Sequence, residues 1–259
     1  MKNNIENCLE KLKNENKKAL VTFITSGCGG YDFTEEAVLT MEKSGADIVE
    51  IGIPFSDPVA ESPVIQSVAV KALAQGTTIA GTFDMIKRLR TKTQMPIIMT
   101  LYMNNVFCTG IDAFFKKCSD TGVDGVIIHD LPYEELDDVQ SAADANGIII
   151  INNVTPVSLD RIEKIAKVSK GFLYCLSCEK VNVGEKKFDE FFDLVHKYSN
   201  VPNMLGFGIS GLDEIEKIKP YCDGTVVDSS VIQMIDENDL KGSLDKISGF
   251  VGALRKALD

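Results

Sequence analysis

The 259-residue chain contains no tryptophan and only two histidines, His129 and His196. Two imidazoles rule out a His-rich metal site. No apolar run approaches the ~18 residues that a membrane span requires. The opening, MKNNIENCLEKLKNENKKAL, is polar and lacks the apolar core of a secretory signal. Seven cysteines, an odd number, lie scattered at positions 8, 28, 108, 118, 175, 178 and 222, the pattern of reduced thiols in a cytoplasmic protein and not of a disulfide framework. The Cys175-Leu-Ser-Cys178 pair has no second pair beside it to complete a four-ligand zinc site, so it reads as structural. Positive charge is also short: the net charge of −11 repels a polyanion and argues against nucleic acid as a partner. A small phosphate remains possible, because backbone N–H groups hold anions without side-chain cations.

What is present is apolar and periodic. Hydrophobic residues make up 44% of the chain and charged residues 25%, which excludes intrinsic disorder. Eight short apolar runs recur: Leu20–Thr25, Asp47–Ile51, Pro96–Tyr102, Gly125–His129, Ile148–Asn152, Gly171–Leu176, Met204–Phe207 and Gly224–Val227. Between them lie helical patterns at Phe33–Ser44 (with Asp32 as N-cap), Thr82–Thr91, Ile111–Thr121, Glu134–Asn146, Leu159–Val168, Phe188–Tyr198, Leu212–Ile218 and Asp239–Leu258. Ile5, Cys8, Leu9 and Leu12 add an amphipathic helix at the N-terminus. The strand runs are apolar throughout instead of alternating, as in parallel strands covered on both faces. Eight β–α alternations at about 32 residues each predict one (β/α)₈ TIM barrel domain over residues 1–259. It carries an extra N-terminal helix and insertions after the second strand. A doubly wound open sheet is the alternative, but the Gly27-Cys-Gly29-Gly30 turn lacks the last glycine of the dinucleotide fingerprint.

A barrel places its chemistry at the C-terminal ends of its strands. Glu50 stands inside the second strand, flanked by Val and Ile, where desolvation raises a carboxyl toward general-acid use. The following segment packs Asp57, Glu61 and three prolines into a stiff loop over the barrel mouth, where Glu61 is placed to face Glu50 across a substrate. Tyr102 and Tyr174 end strands and offer aromatic faces. Asp130 ends the fourth strand as a cap for the helix that follows. Gly206-Phe-Gly208 and Ser229 lie after the seventh and eighth runs, where barrels commonly bind phosphate.

The segments GADIVEIGIPFSDPVAESPVIQ, LYMNNVFCTGIDAFF, IIHDLPYEE and GFGIS, in that order along the whole chain, closely resemble the tryptophan synthase alpha subunit family. The resemblance implies a lyase that cleaves indole-3-glycerol phosphate to indole and glyceraldehyde 3-phosphate. It also implies no cofactor in this chain and a beta subunit partner, carrying pyridoxal phosphate, in an alpha2beta2 assembly. It assigns Glu50 as acid/base and Glu61 as the carboxylate that stabilises the indolenine. Phe23, Tyr102, Ile127 and Tyr174 match the indole pocket, Gly208 and Ser229 match contacts to the phosphate, and Gly184, shifted by one from the family's glycine, belongs to the loop that closes over substrate. The sequence departs from the family pattern mainly at the active face. Glu61-Ser62 stand where aspartate and glycine are usual, Asp228 replaces a glycine, and His129 replaces a small residue. The loop at 177–184 lacks the usual arginine, and Gly27-Cys28-Gly29 replaces G-D-P. Two further readings follow from those departures: an alpha-like subunit that chiefly binds and activates its beta partner, and a related lyase acting on another phosphorylated substrate.

Overall fold

The computed structural model describes residues 2–176, 185–206 and 211–259. The chain opens with helix α1 (Asn4–Asn14), started by a capping box in which the Asn3 side chain accepts from Ile5 N–H and the Glu6 carboxylate accepts from Asn3 N–H. Strands β1 (Ala19–Thr25), β2 (Ile48–Gly52), β3 (Ile97–Leu101) and β4 (Gly125–Ile128) follow, alternating with helices. Helix α2 (Tyr31–Lys43) lies between β1 and β2. Helices α3 (Pro63–Ala74) and α4 (Ile79–Leu89) fill the long segment between β2 and β3, and α5 (Met103–Thr109) and α6 (Ile111–Thr121) lie between β3 and β4. The second half contains α7 (Asp137–Ala145), β5 (Ile149–Ile150), β6 (Asn153–Val154), α8 (Ile162–Val168), β7 (Leu173–Leu176) and α9 (Glu185–Tyr198). It ends with β8 (Asn203–Gly206), α10 (Leu212–Ile218), β9 (Gly224–Val227), α11 (Ser229–Ile232) and α12 (Leu240–Leu258).

All strand pairs are parallel, in the order β5-β4-β3-β2-β1-β9-β8-β7-β6. The two ends of this order are consecutive in the chain. Ile151 N–H donates to Val126 C=O on the β4 side at 2.9 Å, and Tyr174 N–H donates to Asn152 C=O on the β7 side at 2.9 Å. The fifth run is therefore one bent strand shared between two neighbours, and it closes the sheet into the TIM barrel that the eight runs predict. Among the described residues, its division into β5 and β6 is the one departure from eight uninterrupted strands.

Both faces of the strands are buried, as their unbroken apolar character requires. Leu20, Ile24, Val49, Ile51, Ile97 and Met99 point outward against α2, α4, α6 and α12. Val21, Ile48, Ile98, Ile127, Ile149, Phe172, Tyr174, Met204 and Val226 fill the interior. Helix α1 presents Ile5, Leu9 and Leu12 to that interior cluster and stoppers the N-terminal end of the barrel. Gly125 makes room for the plug, since a Cβ there would lie 2.8 Å from the Ile5 side chain.

Two local expectations are corrected. Gly30, not Asp32, precedes the first turn of α2, and Asp32 lies within that turn, 3.7 Å from Arg88. Helix α4 begins three residues before Thr82 because the Thr78 hydroxyl accepts from Gly81 N–H at 3.1 Å and sets the start.

The plug, β3 and β4 are tied together by one buried ion pair. Arg90 holds Asp124, and its remaining donors reach Gly122 C=O and Met95 C=O, each at 2.6 Å. Asp124 also accepts from Ile97 N–H and the Asn4 side chain, each at 2.8 Å. Arg90→Ala strands the Asp124 carboxylate and is expected to cost about 3–5 kcal/mol. Lys116→Ala, which removes an exposed i,i+4 pair with Asp120, is expected to cost under about 0.5 kcal/mol. Urea unfolding of the two variants checks the contrast.

Candidate active site

Glu50 is a buried carboxyl inside the barrel. It shares the inward face of β2 with Ile48, is 3% exposed, and its Oε1 has no hydrogen-bond partner. Burial pushes its pKa up to about 8, and the negative charge of Asp228 adds to the rise. A carboxyl in this state is protonated near neutral pH, with one oxygen directed at space that the protein leaves unpaired.

The aromatic walls are placed by glycines. A Cβ on Gly52 would lie 2.5 Å from the Phe23 ring, and a Cβ on Gly206 would lie 2.6 Å from the Tyr174 ring. Each ring therefore folds over the bare backbone of the next inward position toward the mouth. Ile127 belongs to the same interior cluster as Tyr174.

Tyr102 is buried and acts as a hub. Its hydroxyl donates to the Glu61 carboxylate and accepts from Val59 N–H and Ala60 N–H at 3.1 and 3.0 Å. Phe55 stacks on its ring at 5.0 Å, and the His129 ring lies 5.4 Å away. Burial raises the Glu61 pKa, and the Tyr102 hydrogen bond opposes that rise. Burial pushes the His129 imidazole down to about 4, so it is neutral at physiological pH.

Across the mouth, the Ser229 hydroxyl lies 2.8 Å from the Ser62 hydroxyl, and Ser229 N–H donates to the Asp228 carboxylate. Ser62 also caps α3, its hydroxyl accepting from Ile65 N–H at 3.4 Å. The loop after β2 is thus pinned on one side through Glu61 to β3 and on the other through Ser62 to the segment after β9.

The structure gathers Glu50, Phe23, Ile127 and Tyr174 inside the barrel, with Glu61, Tyr102 and Ser229 around its C-terminal mouth. Gly184, Gly208 and Cys178 lie outside the described residues. Asp130 does not cap the helix that follows it; it reaches back to accept from Met103 N–H at the start of α5, at 2.7 Å. Sequence reasoning missed Phe55 and the Ser62–Ser229 bridge. The Ser-Pro step at 62–63, a helix-start signal, was the one trace of that bridge's anchor.

A family model described as tryptophan synthase alpha chain matches residues 9–258. The tryptophan synthase alpha chain of Caldanaerobacter subterraneus subsp. tengcongensis is 41% identical over 261 residues, covering 99% of this chain and all of that one. The crystal structure of tryptophan synthase subunit alpha from Legionella pneumophila superposes with a TM-score of 0.92 at 32% identity, covering 100% and 99% of the two chains. A chain of the tryptophan synthase a2b2 complex from the hyperthermophile Pyrococcus furiosus matches with a TM-score of 0.84 at 25% identity, over 92% of this chain and 98% of that one. With the full length matched and a buried glutamate at the centre of a plugged barrel, the chain belongs to the tryptophan synthase alpha chain family.

Proposed function

We propose that this chain performs the family's lyase reaction, cleavage of indole-3-glycerol phosphate to indole and glyceraldehyde 3-phosphate, with Glu50 as acid and base. The observation that carries this reading is the Glu50 carboxyl, buried on the inward face of β2 with no hydrogen-bond partner at Oε1, where burial raises its pKa. Its proton goes to carbon 3 of the indole, which becomes an indolenine with positive character at the ring nitrogen. The resulting carboxylate then takes the proton of the hydroxyl on the adjacent glycerol carbon. As that C–O becomes the aldehyde, the carbon–carbon bond breaks and its electron pair returns to the ring. Glu50 ends protonated, as it began, so the step balances without an external acid.

Glu61 stabilises the positive ring nitrogen, and the Tyr102 hydroxyl fixes its carboxylate. Phe23, Tyr102, Ile127 and Tyr174 form the flat apolar walls for the indole. Ser229, with Gly208, serves the phosphate, and Gly184 serves the substrate from the loop after β7. No cofactor is needed in this chain. Pyridoxal phosphate belongs to the beta subunit, which we propose as its partner in an alpha2beta2 complex. Val59 and Phe107, 81% and 59% exposed, supply apolar surface for that contact. Among the described residues six cysteines are free and no helix is long and apolar enough to cross a membrane, which supports a cytoplasmic location.

A second reading, a subunit that mainly activates its partner, draws on Ser229. Its N–H and its hydroxyl are both engaged within the chain, by Asp228 and Ser62, so phosphate must displace internal partners. An indole-release assay with and without a beta subunit separates the readings. Release in either arm supports the lyase; no release, with the beta reaction still accelerated, leaves the activator.

Three further outcomes are expected. Glu50→Gln lowers kcat on the order of 10²–10⁴-fold. It also raises stability above about pH 8: a native pKa above the unfolded value weakens folding as pH rises between the two, and glutamine removes that loss. Thermal melts at pH 6 and 9 check this. Glu61→Asp retains turnover, while Glu61→Gln lowers kcat roughly 10²-fold, read in the same assay. Asp228→Gly frees Ser229 N–H and tightens binding of glycerol phosphate on the order of tenfold, measured by calorimetry.

A further inference from the structure

The strand register sets two carboxylates at one level of the barrel. Phe23 of β1 pairs with Glu50 of β2. On its other side β1 pairs Val21 with Val226 and Thr22 with Val227, so the next step places Asp228 beside Phe23. Glu50 follows inward-facing Ile48 by two residues, and Asp228 follows inward-facing Val226 by two, so both share the inward face. Their backbones are two strand spacings apart, about 10 Å, with Phe23 between them. The Phe23 ring does not fill the gap at that level, because it folds toward Gly52, nor does Tyr174, which folds over Gly206.

We propose that Asp228 is a positioning residue for the reaction: its carboxylate, anchored by Ser229 N–H and placed beside Phe23 at the level of Glu50, joins burial in holding the opposing Glu50 carboxyl ready to donate. Two carboxylates facing one another across a barrel at one level resist joint ionisation, and the more deeply buried one holds the proton. Asp228 is half-buried at the mouth, whereas Glu50 is fully enclosed.

The other groups facing this space do not compete for the role. From β3 comes Thr100, which does not titrate. Tyr174 from β7 is fully buried and pushed well above the usual phenol range, so it stays neutral. His129 at the end of β4 is neutral, and Glu61 is tied to Tyr102 at the mouth. Among the described residues, Asp228 is the charge that acts on Glu50, in the direction the geometry requires. The inference deepens the assignment of Glu50 as acid/base and rests on it for its catalytic consequence, but its electrostatic core can be tested without turnover.

The test is an NMR titration of the full chain carrying side-chain-labelled glutamate, with the Glu50 signal assigned by its loss in Glu50→Gln. In Asp228→Asn, which keeps an oxygen acceptor for Ser229 N–H, the Glu50 midpoint is expected to fall by roughly half a unit or more. The alkaline limb of kcat/KM for indole release is expected to fall with it. Asp228→Ser provides a second neutral variant should asparagine impair folding. A midpoint that moves while the limb stays supports the Asp228 pairing and overturns Glu50 as the acid. An unmoved midpoint in the folded variants overturns the proposal, whatever the rate does.

Discussion

The energetic cost of holding one carboxyl in a dry interior organises this molecule. Burial is the first cause of the raised pKa of Glu50, and burial at that depth requires that both the wall and the floor of the barrel be closed. The wall closes through a single bent strand whose two halves bond to different neighbours. The floor closes through α1, whose apolar stripe joins the interior cluster and whose N-terminus is fastened to Asp124. Elements remote from the mouth therefore act on the chemistry by maintaining a low-dielectric space around one side chain.

The mouth follows a different logic. It is polar and densely cross-linked, and its groups satisfy one another: Tyr102 with Glu61, Ser62 with Ser229, Asp228 with Ser229 N–H. Glu61, Ser62 and Asp228, where the sequence departs from the family pattern, each engage a residue that matches it, Tyr102 or Ser229. Ser62 and Asp228 both engage Ser229, so the two side chains meet at one spot of the mouth. A longer Glu61 is likewise met by an aromatic hub that holds its carboxylate in place, packed between Phe55 and His129.

Much of the fold was legible in the sequence because burial on both faces leaves a plain mark. Runs such as ALVTFIT admit no polar side, and helices Ile111–Thr121 and Leu212–Ile218 match their expected bounds. The bent fifth strand was hidden because hydropathy registers burial and not the identity of the hydrogen-bonding neighbour. Caps misled where several candidates competed: Asp32 has the right chemistry, but Gly30 at φ +91° takes the turn into α2. At the site, Glu50 was conspicuous because a charge interrupts an apolar strand. Its Asp228 counterpart was not, since 178 residues separate them and only the register through β1 makes them neighbours. Asp130 was read as a local cap because sequence distance conceals the backbone of α5 lying next to it.

The aromatic lining has an optical consequence. Phe23, Tyr102 and Tyr174 form the walls proposed for the indole, and the chain holds no tryptophan. An indole bound there is the sole indole chromophore in the subunit. Light beyond the tyrosine absorption edge therefore excites the guest and leaves the host dark. The emission maximum of that guest reports directly on how dry the barrel interior is. In this protein the ligand is the spectroscopic probe, and the cavity it reports on needs no label.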